Sequence, residues 1–312
     1  MKRYAILVAA VLLFTMVFTG CWGNNDNSSS SSIPSTSSSS SVPSSSSVPP
    51  SSSESSSLPG SGSSNGSTSS SVAAMGTDFE EIGALSSKSL NWGPGGPVDD
   101  KNRSQGALQY NSKYGKYDAL FIGPDSNNIY MTFDEGYEYG LTPAFLDILK
   151  DKGVKALFFV TYDFVNRNGE LVQRMIDEGH TIGNHSWSHK NYSTLSPKAA
   201  AEDMMKLHNL VKEKFNYEMK YFRFPSGNFN EQCLAVVQGM GYKSLFWSFA
   251  YKDWLVDDQP NPATSLKKIV DSAHPGAIYL LHAVSKTNAD ILAEAIDQIR
   301  EAGFAWADPS TI

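Results

Sequence analysis

From residue 128 onward, short apolar runs alternate with segments whose apolar residues recur at helical spacing. Asn128 to Phe133 reads as a strand. Val154 to Thr161 is a nearly continuous apolar run, the pattern of a parallel strand buried on both faces. Tyr221–Phe224, Tyr242–Ser248 and Ala277–Leu281 are further strand candidates. Between them, Thr142 caps a helix with Pro143 at its first position and Gly153 just past its end. A second helix runs from about Gly169 to Glu178 and stops at Gly179. Ser196-Pro197 opens a third that reaches Lys214, and a fourth covers Asn230 to Met240. Asn288 to Glu301 places Ile291, Leu292, Ala295, Ile296 and Ile299 on one face. Strands alternating with helices predict parallel β/α units. The size suits a distorted, incomplete TIM-like (β/α) barrel, with polar motifs after the strands, at the end where barrels build their sites. A doubly wound open sheet is the alternative fold, but no Gly-rich phosphate loop is present.

The first part of the chain reads differently. Lys2 and Arg3 precede an apolar run, Ala5 to Phe18, too short for a comfortable membrane span. It ends in Val17-Phe18-Thr19-Gly20-Cys21, which resembles a bacterial lipoprotein signal. Residues 1–20 are therefore expected to be a signal peptide and Cys21 a lipid anchor on the outer face of a bacterial cell membrane. A plain secretory peptide is the alternative, and either makes the protein extracytoplasmic. Asn27 to Ser71 is almost entirely Ser and Pro and has no apolar face to offset its ordering entropy. Residues 21–75 are expected to be a disordered tether, whose Ser/Pro stretch alone spans about 35–40 Å on average. Residues 76–127, rich in Gly, Asn and Tyr, are expected to wrap the body without regular structure of their own. Residues 128–312 are expected to form the main folded domain, the catalytic one if the chain is an enzyme.

Composition narrows the function. Of the 312 residues, 25 are Lys or Arg and 32 Asp or Glu, for a formal charge of −7. An acidic chain without basic blocks is a poor nucleic-acid binder. The two cysteines are Cys21 and Cys233, so the folded part forms no internal disulfide, and Cys233 reads as a small core residue. A monomer is expected.

The most informative stretch is His185-Ser186-Trp187-Ser188-His189. Two imidazoles four residues apart reach one ion if the backbone turns helically between them. Neutral imidazole is a good zinc ligand, and a carboxylate from Thr132-Phe133-Asp134-Glu135 could complete a three-ligand site with room for water. Taken alone, such a pair is more often a solvated face or a capping arrangement than a metal site.

Five segments recur after strands in a fixed order: Thr132 to Glu135, His185 to His189, Arg223-Phe224-Pro225-Ser226-Gly227, Asp253-Trp254 and Leu280-Leu281-His282. Together they resemble the polysaccharide deacetylases of carbohydrate esterase family 4, the NodB homology domain, over about residues 129–312. Asn184-His185-Ser186, Phe246-Trp247-Ser248 and the run His274 to His282 bring the chain nearest the delta-lactam-biosynthetic de-N-acetylase branch. The resemblance implies a hydrolase that removes acetyl groups from N-acetylated cell-wall glycan, the muramic acid or glucosamine units of peptidoglycan. It implies a divalent metal, zinc first and cobalt, manganese or nickel as alternatives, held by His185, His189 and Glu135. Asp134 would be the general base and His282 the general acid, with Arg223 holding Asp134 ionised and Asp253 orienting His282.

Two departures stand out. Glu135 occupies the place of the family's usual second aspartate, and Phe224 stands where the nearest branch more often has proline. Chitin oligomers or acetylxylan are alternative substrates. A reading of another class is a wall-glycan-binding lipoprotein with little or no turnover. Trp187 and Trp247 read as packing or cleft walls, and His180, His208 and His274 as structural.

Overall fold

The computed structural model describes residues 77–312. The expected signal peptide, the expected lipid anchor at Cys21 and the expected tether lie outside the described residues. In chain order the strands are β1 (Leu90–Asn91), β2 (Ala119–Leu120), β3 (Asn128–Glu135), β4 (Ala156–Val160), β5 (Thr181–Asn184), β6 (Tyr221–Phe222), β7 (Asn228–Phe229), β8 (Lys243–Leu245), β9 (Phe249–Ala250), β10 (Ile278–Leu281) and β11 (Ala305–Ala307). β1 pairs with β7, antiparallel. The others form one parallel sheet in the order β2-β8-β6-β5-β4-β3-β10-β9, with β11 beside the start of β3.

The expected strand over Tyr242–Ser248 is shorter, β8 alone, and a second short strand, β9, begins just past it. β8 pairs with β6 and β2, whereas β9 pairs with β10. Between them the Phe246 N–H bonds the Leu120 carbonyl at 2.8 Å and the Ser248 N–H bonds the Ile278 carbonyl at 3.0 Å. One interrupted segment thus hands its hydrogen bonds from one side of the sheet to the other, and the sheet curls into the distorted, incomplete barrel expected.

The segment before residue 128 is not irregular as expected. Gln105–Tyr114 is a helix capped by the Ser104 hydroxyl, and β2 joins the main sheet. Its aromatics explain this. Trp92 and Phe121 pack edge to face at 4.7 Å, and Phe121 stacks on Phe246 at 4.1 Å. Burial of those rings outweighs a composition rich in turn-forming residues.

β4 is buried along its whole length, as its apolar run requires. The helix Lys286–Glu301 turns Ile291, Leu292, Ala295, Ile296 and Ile299 inward, as its spacing predicts. Thr142 begins its helix rather than capping it. Glu138, in the turn before, accepts from the Thr142 N–H at 3.3 Å and from its hydroxyl. Because the strands are parallel, their C-terminal ends gather at one rim. Asp134 and Glu135 end β3, His185 follows β5, Arg223 follows β6, Asp253 lies beyond β9 and His282 follows β10.

Candidate active site

Arg223 is the hub of the rim. Its side chain is fully buried, with the guanidinium carbon 4.1 Å from the centre of the Phe159 ring. Gly183 makes room for that ring, since a Cβ there would lie 2.5 Å from Phe159. Arg223 Nε donates to the Leu245 carbonyl at 2.9 Å and Nη2 to the Phe246 carbonyl at 3.0 Å. Nη1 donates to Thr132 Oγ1 at 2.8 Å and Asp134 Oδ1 at 2.9 Å. Burial works to raise the Asp134 pKa, but the charges of His185, Arg223 and His282 outweigh it and hold the carboxyl below its ordinary value. Asp134 is therefore ionised at neutral pH.

The histidine pair does come together, though by no helical turn. Residues 185–189 form a bend in which Ser186 has φ 78° and His189 φ 50°. The Asn184 side chain accepts from the Ser186 N–H at 2.8 Å, the Ser186 hydroxyl from the His189 N–H at 2.8 Å, and Asp203 from the Trp187 N–H at 3.0 Å. His185 Nδ1 lies 2.9 Å from the Arg223 carbonyl, so this nitrogen carries the proton and Nε2 keeps its lone pair. That Nε2 is 3.3 Å from His189 Nε2 and 3.5 Å from Asp134 Oδ2. Burial, with Asp134 opposing it, brings the His185 pKa down to about 4, and burial lowers that of His189 too. Both rings are neutral at pH 7, the form that binds metal.

The residues fit a divalent ion through this pair. Two nitrogens about 2.0–2.1 Å from one ion at a tetrahedral angle would stand about 3.3–3.4 Å apart, and the two Nε2 atoms stand 3.3 Å apart. Glu135, the third ligand expected, does not join them. Its carboxylate is fully buried with neither oxygen hydrogen-bonded, and among the described residues no three His, Cys, Asp or Glu side chains are grouped to hold a metal. Burial pushes the Glu135 carboxyl well above the ordinary range, and Glu138 and Asp134 push it further.

His282 is held differently. Its Nδ1 lies 2.7 Å from Asp253 Oδ1, and its backbone N–H donates to Asp253 Oδ2 at 2.9 Å. Burial works to lower its pKa, but Asp253, with Asp134 adding, raises it above the ordinary value. Trp254 stands edge-on to the ring at 5.7 Å, and the Tyr137 hydroxyl donates to the Trp254 carbonyl at 2.9 Å, tying two loops of the rim together. Trp187 stacks on Tyr162 at 3.8 Å, whereas Trp247 is buried. His180 and His274 are buried and His208 bonds Tyr242, away from these groups. Thr132 stands in a motif read from the sequence but had no role assigned, and Asp203 and Asn288 escaped that reading, because each works through a contact distant in sequence.

The arrangement offers an ionised carboxylate, two neutral imidazoles and an imidazole whose pKa is raised, along one rim. A polysaccharide deacetylase profile matches residues 122–245. An uncharacterised 30.6 kDa protein of the fumA 3′ region in Geobacillus stearothermophilus is 40% identical over 228 residues, covering 72% of this chain and 84% of that one. The peptidoglycan-N-acetylmuramic acid deacetylase PdaA of Bacillus subtilis is 39% identical over 228 residues, covering 72% of this chain and 85% of its own. The solved structure of PdaA, a family 4 carbohydrate esterase, superposes with a TM-score of 0.67 at 37% identity, over 71% of this chain and 95% of that one. The peptidoglycan-N-acetylglucosamine deacetylase PgdA of Listeria monocytogenes is 33% identical over 181 residues, 58% of this chain and 38% of that protein.

Proposed function

The chain belongs to the polysaccharide deacetylases of carbohydrate esterase family 4, and we propose that it removes the acetyl group from N-acetylmuramic acid units of peptidoglycan. Members of this family are hydrolases of non-peptide carbon–nitrogen bonds. The muramic acid assignment follows the resemblance to PdaA, which extends over 85% of that protein, against 38% for the peptidoglycan-N-acetylglucosamine deacetylase PgdA.

An amide hydrolase needs a proton acceptor for its water and a proton donor for a poor leaving amine. Asp134, kept ionised by Arg223, is the acceptor. His282, whose pKa Asp253 raises, donates to the departing sugar nitrogen. The two differ because their environments separate their pKa values. His185 and His189 are the ligands of a divalent ion, zinc by the nature of the donors. Such an ion supplies a Lewis acid that polarises an acetamide carbonyl and acidifies a water, which suits a base as weak as Asp134 is made by its partners. Glu135 takes no part in binding it.

The observation that carries this reading is the 3.3 Å approach of the two Nε2 atoms beside Asp134. Acetate release from peptidoglycan, with and without added zinc, tests it. Release that depends on zinc and vanishes in Asp134→Asn supports it; glycan binding with no release under any divalent metal means a binding protein instead.

Placement outside the cell, on a lipid at Cys21 with a Ser/Pro tether, completes the proposal. Cys21→Ser should release the protein into the medium or leave it unprocessed, and unchanged partitioning into detergent would count against the anchor.

A further inference from the structure

Asn288 lies fully buried in the first turn of the helix Lys286–Glu301 and belongs to none of the recurring motifs. Its partners orient its amide. The Tyr251 hydroxyl donates to Oδ1, which turns Nδ2 toward Asp253, and Nδ2 donates to Asp253 Oδ2 at 2.6 Å. The helix start is itself fixed, since the Ser285 hydroxyl accepts from the Asn288 N–H at 3.1 Å and donates to Gln259 Oε1 at 2.8 Å.

The carboxylate of Asp253 is almost wholly buried and accepts from three donors. Two belong to His282 itself. The third, Asn288, is the one that holds the carboxylate from outside the pair. Without it, Asp253 is free to pivot on its bonds to His282, and a buried lone pair loses its partner, a costly outcome. The residue type follows from the task. It must accept from a hydroxyl on one side and donate to a carboxylate on the other, which an amide does and an ionised carboxylate or an alkyl chain does not.

We propose that Asn288 is a positioning residue for the general acid: with Tyr251 behind it, it fixes Asp253 in the orientation that presents Oδ1 to His282 Nδ1. This rests on the reading of His282 as the acid. Tyr251, Asn288, Asp253 and His282 then act as one chain of hydrogen bonds, and loss of any outer member weakens proton delivery without touching the base or the metal ligands.

The test uses the zinc-supplemented full chain and four variants: Asn288→Ala, Tyr251→Phe, His282→Ala and the double Asn288→Ala/His282→Ala. Asn288→Ala should lower kcat on an acetamide substrate by about 10–100-fold, the usual cost of losing an orienting partner. KM and hydrolysis of an activated acetate ester, whose leaving group needs no proton, should stay unchanged. In the His282→Ala background the same substitution should cost nothing more, because the pathway it serves is already gone. Equal slowing of amide and ester, or additive losses in the double variant, would overturn the proposal. Tyr251→Phe should show the same pattern more weakly, and decides the matter if Asn288→Ala does not fold. Failure of the underlying reading has its own signature, His282→Ala slowing amides and esters alike. In that event the imidazole Nδ1 proton of His282, followed by NMR without turnover, still tests the hold on Asp253. It should exchange faster in Asn288→Ala, and an unchanged signal refutes the positioning role.

Discussion

Two histidines on opposite sides of the rim, His185 and His282, make the same first move and end with opposite chemistry. Each presents its Nδ1 to an oxygen acceptor, His185 to the Arg223 carbonyl and His282 to the Asp253 carboxylate. A carbonyl selects the tautomer but carries no net charge, so burial prevails and the His185 pKa falls to about 4. A carboxylate stabilises the imidazolium, so Asp253 prevails over the same burial and raises His282. One ring is made a weaker base and the other a stronger one. The group behind the imidazole decides between ligand and acid, and that group is set by which strand end lies next door.

The comparison breaks most completely at His282. His282→Ala should lower acetamide turnover by about 10²–10⁴-fold while sparing activated acetate esters, measured by acetate release from both substrates. Asp253→Asn replaces the carboxylate with a neutral acceptor like the one behind His185. The His282 pKa should then fall, moving the alkaline limb of the pH–rate profile to lower pH; an unmoved limb would assign that limb to another group.

Arg223 serves both halves of the base side, its carbonyl on His185 and its guanidinium on Asp134. Arg223→Met keeps the carbonyl but strands a mostly buried carboxylate, which typically costs about 3–5 kcal/mol. Urea unfolding should show that loss. A change of a few tenths would mean that Asp134 finds other partners.

Much of this was legible in the sequence. Asp134, His185, Arg223, Asp253 and His282 each follow a strand-like run, and parallel strands bring such positions to one rim. What could not be read were contacts that skip along the chain. Asn288 meets Asp253 from a helix start, and Asp203 holds the histidine bend from the helix Pro197–Phe215. The helix Gln105–Tyr114 was hidden by glycine, asparagine and tyrosine that only tertiary packing makes helical.

A more moderate effect concerns the lone pair. His185→Ala should lose roughly 10-fold or more in zinc affinity, whereas Glu135→Gln should change it little, as calorimetric titration would show. A large loss in Glu135→Gln would restore that carboxylate to the ligand set.

The smallest expected effect is in stability against pH, read on chelator-treated protein. His185 titrates near 4 in the fold against an ordinary 6.5, so the unfolded chain binds more protons between them. Its contribution to stability therefore rises with pH through that window and is lost below it. His282, raised in the fold, contributes fully below the ordinary histidine pKa and loses that contribution as pH climbs through the raised value. His185→Gln should flatten the acid side of the curve and His282→Gln the neutral-to-alkaline side; the same change in both would erase the distinction.

The most direct measurement is mass analysis of peptidoglycan fragments after incubation with the zinc-supplemented protein and with Asp134→Asn. The account expects muramic acid residues to lose their acetyl groups with the first and to keep them with the second, though the second still binds zinc. Fragments that keep every acetyl group under any divalent metal, or lose them equally with Asp134→Asn, would contradict it.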